Sequence, residues 1–249
     1  SDYEPPTGYS NVAFLPGLEA SRLYAQQFFN LFENRLWEPN RNADVEKLYL
    51  DQNGESRDAS IYTRDIIEET FGFNIYKNFI DFMDMLVADD IIKEWKPLSY
   101  DWRLDFEDIF VKGKEIGNGN ISYLQETLSP YIIEELRRLA ETSDTGKVTI
   151  ITHSNGGLLA KYLLKKLEDE NNSLLQKIDK LIMVAAPQLG TPEAIVETLH
   201  GADCFLGLPN KEVTRELAEN MKSAYTLLPS RTYFDRLRDP LIRPLIEFD

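Results

Sequence analysis

The sequence predicts an α/β fold, a mostly parallel sheet with helices on both faces. Four short apolar, β-branched runs are each bounded by turn residues, as strands buried on both sides must be. Amphipathic helical patterns fall between those runs, and apolar strands alternating with helices build a parallel sheet. At 249 residues, with 43% hydrophobic and 28% charged side chains, the chain is long enough for one large domain with a substantial core.

The opening SDYEPPTGYS has neither the basic start nor the apolar stretch of a signal peptide, and reads as a linker cut from something longer. Val12 to Pro16 is the first strand; it ends in Pro-Gly and precedes a helix-like stretch, Ser21 to Phe32. From Phe32 to Ile91 the pattern is less regular. There the turn formers Asp51-Gln52-Asn53-Gly54 suggest a hairpin-like excursion after Lys47 to Leu50, and Asp81 to Leu86 belongs to a helix returning the chain to the sheet. Trp95 to Tyr100 is the second strand. Tyr123-Leu124, Leu128, Ile132-Ile133, Leu136 and Leu139 then recur at helical spacing.

Lys147 to Thr152 is the third strand. The helix after it carries Leu158-Leu159, Tyr162-Leu163 and Leu167 inward, with Lys161, Lys165 and Lys166 on the wet side. Lys180 to Ala185 is the fourth strand and the last convincing one, so the sheet is expected to lack its final strands. Beyond Leu206 comes a helix, Lys211 to Met221, broken up afterwards by Pro229, Pro240 and Pro244. The expected organisation is a linker-like lead over residues 1–10, a core over 11–200 and a cap-like helical segment over 201–249.

Composition narrows the function. A formal net charge of −15 repels nucleic-acid phosphates and anionic lipid alike, leaving apolar contact with a lipid surface open. No apolar run approaches the ~18 residues of a membrane span. One cysteine, Cys204, permits no intrachain disulfide, and two histidines, His153 and His200, cannot build a multi-histidine metal centre. Neither a metal nor another cofactor is expected.

The chemistry resides in VTIITHSNGGLLAKYLL, where an apolar strand meets an amphipathic helix through Thr152-His153-Ser154-Asn155-Gly156. This small-x-Ser-x-Gly arrangement is that of a nucleophile elbow, the sharp turn that lifts a serine hydroxyl above the sheet edge of an α/β-hydrolase. Strand and helix approach so closely there that small residues are needed two before and two after the serine. Thr152 replaces the usual glycine, while Gly156 fits. A serine at such a junction also suits a helix N-cap that needs no catalysis. Acyl transfer further requires two N–H donors for the tetrahedral oxyanion. Asn155 supplies the amide after the nucleophile, and Leu18, in the Pro16-Gly17-Leu18 loop after the first strand, is placed to supply the other.

Several segments resemble the lecithin:cholesterol acyltransferase family. VAFLPGLEASRLY looks like its strand, Pro-Gly loop and following helix. Ser99-Tyr100-Asp101-Trp102-Arg103 is similar to its Pro-Tyr-Asp-Trp-Arg signature, with Ser99 in place of proline. THSNGG matches its elbow, VAAPQLGTPEA resembles its Pro-x-x-Gly-Thr-Pro segment, and Ser223 to Ser230 is similar to a Ser-Ala-Tyr-x-Leu-Leu-Pro element. The resemblance implies cleavage or transfer of a lipid ester through an acyl-enzyme on Ser154, with the Leu18 and Asn155 amides as oxyanion donors. It implies that Trp102 stands on the active-site wall as a substrate contact. Asp101 and Arg103 read as structural partners of each other or of nearby backbone, because either charge buried alone is costly. Lipid esterases of this sort commonly work outside the cell, which leans toward a secreted protein.

A serine needs a general base. In α/β-hydrolases the acid and histidine follow the elbow on loops after later strands, and those strands are wanting here. His153 directly precedes the nucleophile, a position for packing; His200 follows the PQLGTPEA segment, with Asp203, Asp235 and Asp239 as distant acids. The expectation is that a C-terminal part of a longer protein supplies both groups. The alternative is a non-catalytic module of the same fold that binds a lipid or a protein.

Overall fold

The computed structural model describes residues 8–27, 32–111, 114–117, 120–123, 131–202 and 209–238. Expectations for Leu124, Leu128, Asp203, Cys204, Asp239, Pro240 and Pro244 lie outside the described residues.

In chain order the elements are β1 (Asn11–Leu15), β2 (Ser21–Gln27), β3 (Phe32–Trp37), α1 (Asn42–Glu46), β4 (Ile61–Ile66), β5 (Glu69–Thr70), β6 (Phe73–Asn74) and α2 (Lys77–Ala88). There follow β7 (Trp95–Pro97), α3 (Phe106–Val111), β8 (Lys114–Gly117), β9 (Asn120–Tyr123), α4 (Tyr131–Thr142), β10 (Val148–His153) and α5 (Asn155–Asp169). A 3₁₀ turn (Ser173–Lys177), β11 (Ile178–Val184), α6 (Pro192–His200), α7 (Lys211–Glu219), α8 (Lys222–Tyr225) and α9 (Arg231–Leu237) complete the set. The chain divides into two compact units. One comprises Ser1–Glu38, Ser60–Trp102 and Phe106–Ala186; the other comprises Pro39–Ala59, Arg103–Asp105 and Pro187–Asp249.

The first unit holds the parallel sheet, in the order β11-β10-β1-β7. Each of the four expected apolar runs became one of these strands. β1 is buried along its whole length, which requires cover on both faces. On one face α2 lays Phe79 and Met83 against Val12, Phe14 and Ile151. α4 and α5 pack against β1 and β10, burying Ile132, Leu136 and Leu139 from one helix and Leu159, Leu163 and Leu167 from the other. Of the expected helical pattern, Ile132-Ile133, Leu136 and Leu139 lie in α4, whereas Tyr123 ends strand β9.

The stretch expected to be helical after the Pro-Gly loop is instead sheet. β2 runs antiparallel to both β3 and β4, with Leu23 opposite Thr63 and Ala25 opposite Ile61. Arg, Leu, Ala and Gln in SRLYAQQ favour a helix locally, but long-range pairing with the β-branched IYTRDI segment overrides that weak preference.

In the second unit, Asp51 to Gly54 form the expected tight turn, with Gly54 at φ +76° and an isolated bridge from Leu50 to Ser56 closing it. Arg103 is wholly buried and donates from Nη1 to the Leu48 carbonyl (2.8 Å) and from Nη2 to Ser56 Oγ (3.2 Å). It is a structural cation bonded to neighbouring backbone and hydroxyl, as its place in the motif suggested. Two further motif segments meet each other. Thr191 N–H donates to the Leu227 carbonyl and Ser230 N–H to the Leu189 carbonyl, both at 2.8 Å. Gly190 sits between them at φ +84°, and a Cβ there would stand 2.2 Å from the Leu228 carbonyl oxygen. Only glycine fits that left-handed, backbone-to-backbone approach.

Candidate active site

Ser154 joins β10 to α5 at φ +49°, ψ −125°. A side chain in that region costs on the order of 1–3 kcal/mol and persists only where the surroundings enforce it. They do so here through hydrogen bonds from Ser154 N–H to the Val184 carbonyl (2.9 Å) and from Gly157 N–H to the Ser154 carbonyl (3.0 Å). The Ser154 side chain makes no capping hydrogen bond, so the reading of this residue as a helix N-cap is not what the geometry holds.

The glycines of the elbow answer to identifiable neighbours. A Cβ on Gly156 would lie 2.4 Å from the Leu15 carbonyl oxygen and 2.5 Å from that of Pro16, so α5 begins directly against the end of β1. A Cβ on Gly157 would lie 2.5 Å from Ala186 Cβ and 3.2 Å from Thr152 Oγ1. The absent Gly157 side chain therefore makes room for threonine at the position where glycine is usual.

The Pro-Gly loop reaches the same place from the other side. A Cβ built on Gly17 would be 3.2 Å from both Ser154 Cβ and His153 Nδ1. The next residue, Leu18, opens the turn closed by Ala20 N–H on the Gly17 carbonyl (3.3 Å). Asn155 is the first residue of α5, where an N–H has no intrahelical acceptor. Among the described residues no protein acceptor is found for the Leu18 or Asn155 N–H. The Asn155 side chain is completely buried, and neither end of its amide has a hydrogen-bond partner of ordinary geometry among the described residues.

Two tyrosines that sequence reasoning gave no role complete the site. Tyr100 Oη donates to the Pro16 carbonyl at 2.8 Å, and Gly17 N–H donates to Tyr76 Oη at 3.0 Å. Tyr76 Oη also lies 2.8 Å from His153 Nδ1. Burial pushes the Tyr76 hydroxyl up to about 12 against the opposing pull of the Gly17 N–H. Burial likewise raises Tyr100, with Tyr76 adding to it and the Asn155 amide opposing. Burial lowers His153, so all three groups are neutral near pH 7. Tyr100 lay within a recognised motif; Tyr76 carried no local signal, being 59 residues from Gly17 and 77 from His153.

Trp102 needs correction. It is fully buried, its indole N–H donates to the Ser21 carbonyl (3.0 Å), and its ring meets Trp37 edge-to-face at 5.1 Å. An indole spent on packing and on its one donor bond is a core residue, not an exposed wall against substrate. Of the two histidines, His153 is engaged by Tyr76 and His200 ends α6 in the other unit. Among the described residues no hydrogen bond reaches Ser154 Oγ, no group of three or more His, Cys, Asp or Glu could hold a metal ion, and no helix is long and apolar enough to cross a membrane.

A strained serine between a parallel strand and a helix, with a Pro-Gly loop against it, defines an α/β-hydrolase-type elbow module. The lecithin:cholesterol acyltransferase family model matches residues 73–240, well over half of the sequence, and the chain belongs to that family. The β1 strand and its loop precede the matched residues, yet the fold brings them to the elbow. No curated protein matches the chain. Seven chains of solved structures match it. One of them, from the crystal structure of a Tle4–Tli4 complex, is 13% identical with a TM-score of 0.45, over 89% of this chain and 54% of that one. The chain thus spans about half the length of that neighbour.

Proposed function

We propose that the chain is the nucleophile-bearing part of a serine-dependent lipid ester hydrolase or O-acyltransferase. The observation that carries this reading is Ser154, held at φ +49° without a capping bond and with the Gly17 loop against its Cβ. Ser154 Oγ attacks the ester carbonyl carbon, and the Leu18 and Asn155 N–H groups receive the developing oxyanion. Collapse breaks the ester C–O bond, releases the alcohol and leaves an acyl-Ser154 ester, which water or a second alcohol resolves. The base that takes the Ser154 proton and returns it to the leaving oxygen is a histidine oriented by an acid. His153 is engaged by Tyr76, and the reading draws both groups from a C-terminal part beyond these 249 residues, with His200 as the alternative base. Family membership favours a lipid ester as substrate, and the net charge of −15 favours apolar rather than electrostatic contact with the lipid.

The scarcity of histidines supports a second reading, a non-catalytic module that binds a lipid or a protein. A fluorophosphonate probe separates the two. The full-length protein is expected to be labelled on Ser154, and Ser154→Ala to abolish labelling. Absence of labelling on folded full-length protein would leave the binding module as the better account.

A further inference from the structure

We infer that Tyr100 and Tyr76 are positioning residues for the oxyanion site, acting together on the Pro16–Gly17 peptide. The inference rests on the acyl-transfer reading above. The Pro16 carbonyl and the Gly17 N–H are the two polar ends of one planar unit. Tyr100 Oη donates to the first at 2.8 Å and Tyr76 Oη accepts from the second at 3.0 Å. Two hydroxyls on opposite edges fix the rotation of that plane about its own axis. The next peptide along carries the Leu18 N–H, so the aim of the donor is inherited from the clamped plane.

The clamp is also tied to the nucleophile. Tyr76 Oη bonds His153 Nδ1 at 2.8 Å, and His153 is the residue before Ser154. One phenol therefore spans from the donor loop to the strand end that carries the serine, setting the distance between them. Both phenols are rigidly held. Tyr100 and Tyr76 are 3% and 7% exposed. Tyr100 N–H donates to Ser21 Oγ (3.2 Å), and the Tyr76 ring packs edge-to-face on Phe14 at 5.0 Å. Both hydroxyls are committed within the protein, Tyr100 Oη to the Pro16 carbonyl and Tyr76 Oη to the Gly17 N–H and His153 Nδ1, and neither is bonded to Ser154, which makes their role one of positioning.

The test uses Tyr100→Phe and Tyr76→Phe in the full-length protein, with Leu139→Ala, a fully buried α4 residue, as a control that loses at least as much stability. Removing one oxyanion donor outright costs about 10²–10³ in rate, so misaiming it is expected to cost about 10–10². The readouts are kcat and KM on a soluble ester and the affinity of a boronate that mimics the tetrahedral intermediate. Each phenylalanine variant is expected to lose kcat with KM unchanged, and to lose boronate affinity by the same factor as kcat/KM. Leu139→Ala, assayed well below its melting temperature, is expected to lose neither. Should Tyr100→Phe not fold, Ser21→Ala removes only the acceptor of the Tyr100 N–H, and a fall of about threefold to tenfold is expected. Folded variants with wild-type kcat and boronate affinity would overturn the inference while leaving the acyl-transfer reading intact. A wild-type protein that neither turns over ester nor reacts at Ser154 would instead overturn that reading, and the inference with it.

Discussion

Gly156→Ala tests the geometry of the elbow most directly. The residue is helical, so the substitution introduces no backbone conflict of its own; in an ordinary helix it would gain up to about 1 kcal/mol. Here the new methyl would stand 2.4 Å from the Leu15 oxygen, 2.5 Å from the Pro16 oxygen and 2.9 Å from the Leu15 carbonyl carbon. All three are backbone atoms of a buried strand end and cannot swing aside. Restoring van der Waals contact requires the start of α5 to retreat by about 1 Å or more. Overpacking of that kind costs about 1–3 kcal/mol, which exceeds the helix gain and lowers the melting temperature by about 2–8 °C. The retreat also carries Ser154 away from the Gly17 loop, and a misplacement near 1 Å costs about 10² in rate. A thermal melt and the rate of fluorophosphonate labelling of the full-length protein measure the two effects. Gly146→Ala is the control: its methyl meets open space, and only the φ of +67° is strained, so it should lose about 1 kcal/mol and no labelling rate. A Gly156→Ala protein that melts and labels like the parent would refute the close approach of α5 to the Leu15 and Pro16 carbonyls.

Two further outcomes follow from the same site. Ser154→Gly should raise stability by up to about 2 kcal/mol while abolishing labelling, since glycine tolerates φ +49° and the serine hydroxyl gives up no capping bond; chemical denaturation checks it, and a destabilised variant would contradict the strain argument. Burial lowers the His153 pKa, so the folded state binds fewer protons than the unfolded chain in mildly acidic solution. Stability should therefore fall as pH drops below the ordinary histidine value of about 6.5, levelling off below the lowered folded value. His153→Gln should show a smaller fall over that window in urea unfolding; equal slopes would mean that His153 does not carry the effect.

What the sequence disclosed and what it hid divide along physical lines. β1 and β10 were legible because strands covered on both faces must be continuous apolar runs, and turn residues marked their ends; β11 was legible from its own apolar run although it lies at the sheet edge with Ile182 and Val184 exposed. The elbow was legible because Ser154, Gly156 and the following helix lie within a few residues of one another. β2 was hidden, since SRLYAQQ prefers a helix by itself and becomes a strand only through partners at Ile61 to Ile66. The Trp102 ring was misjudged because a motif gives order along the chain and not direction in space. The Tyr76 bond to Gly17 was beyond reach for the same reason: it is a contact between segments with no shared local pattern.

The structure also weighs on the choice between an enzyme and a silent relative. Gly156, Gly157 and Gly190 are required by backbone neighbours or close packing whether or not the protein reacts, so their presence argues only for the fold. Arg103 and Trp102 are likewise bound to buried carbonyls and serve architecture in either case. Ser154 differs from all of them. Packing at that turn is satisfied by glycine, which adopts φ +49° at no steric cost, whereas serine pays strain there. A capping hydrogen bond would have offset the strain, and none is formed. A serine that strains the backbone with the Gly17 loop against its Cβ is not what packing alone would select, and this asymmetry between position 154 and the glycines around it is the strongest physical ground for the proposed enzymatic reading.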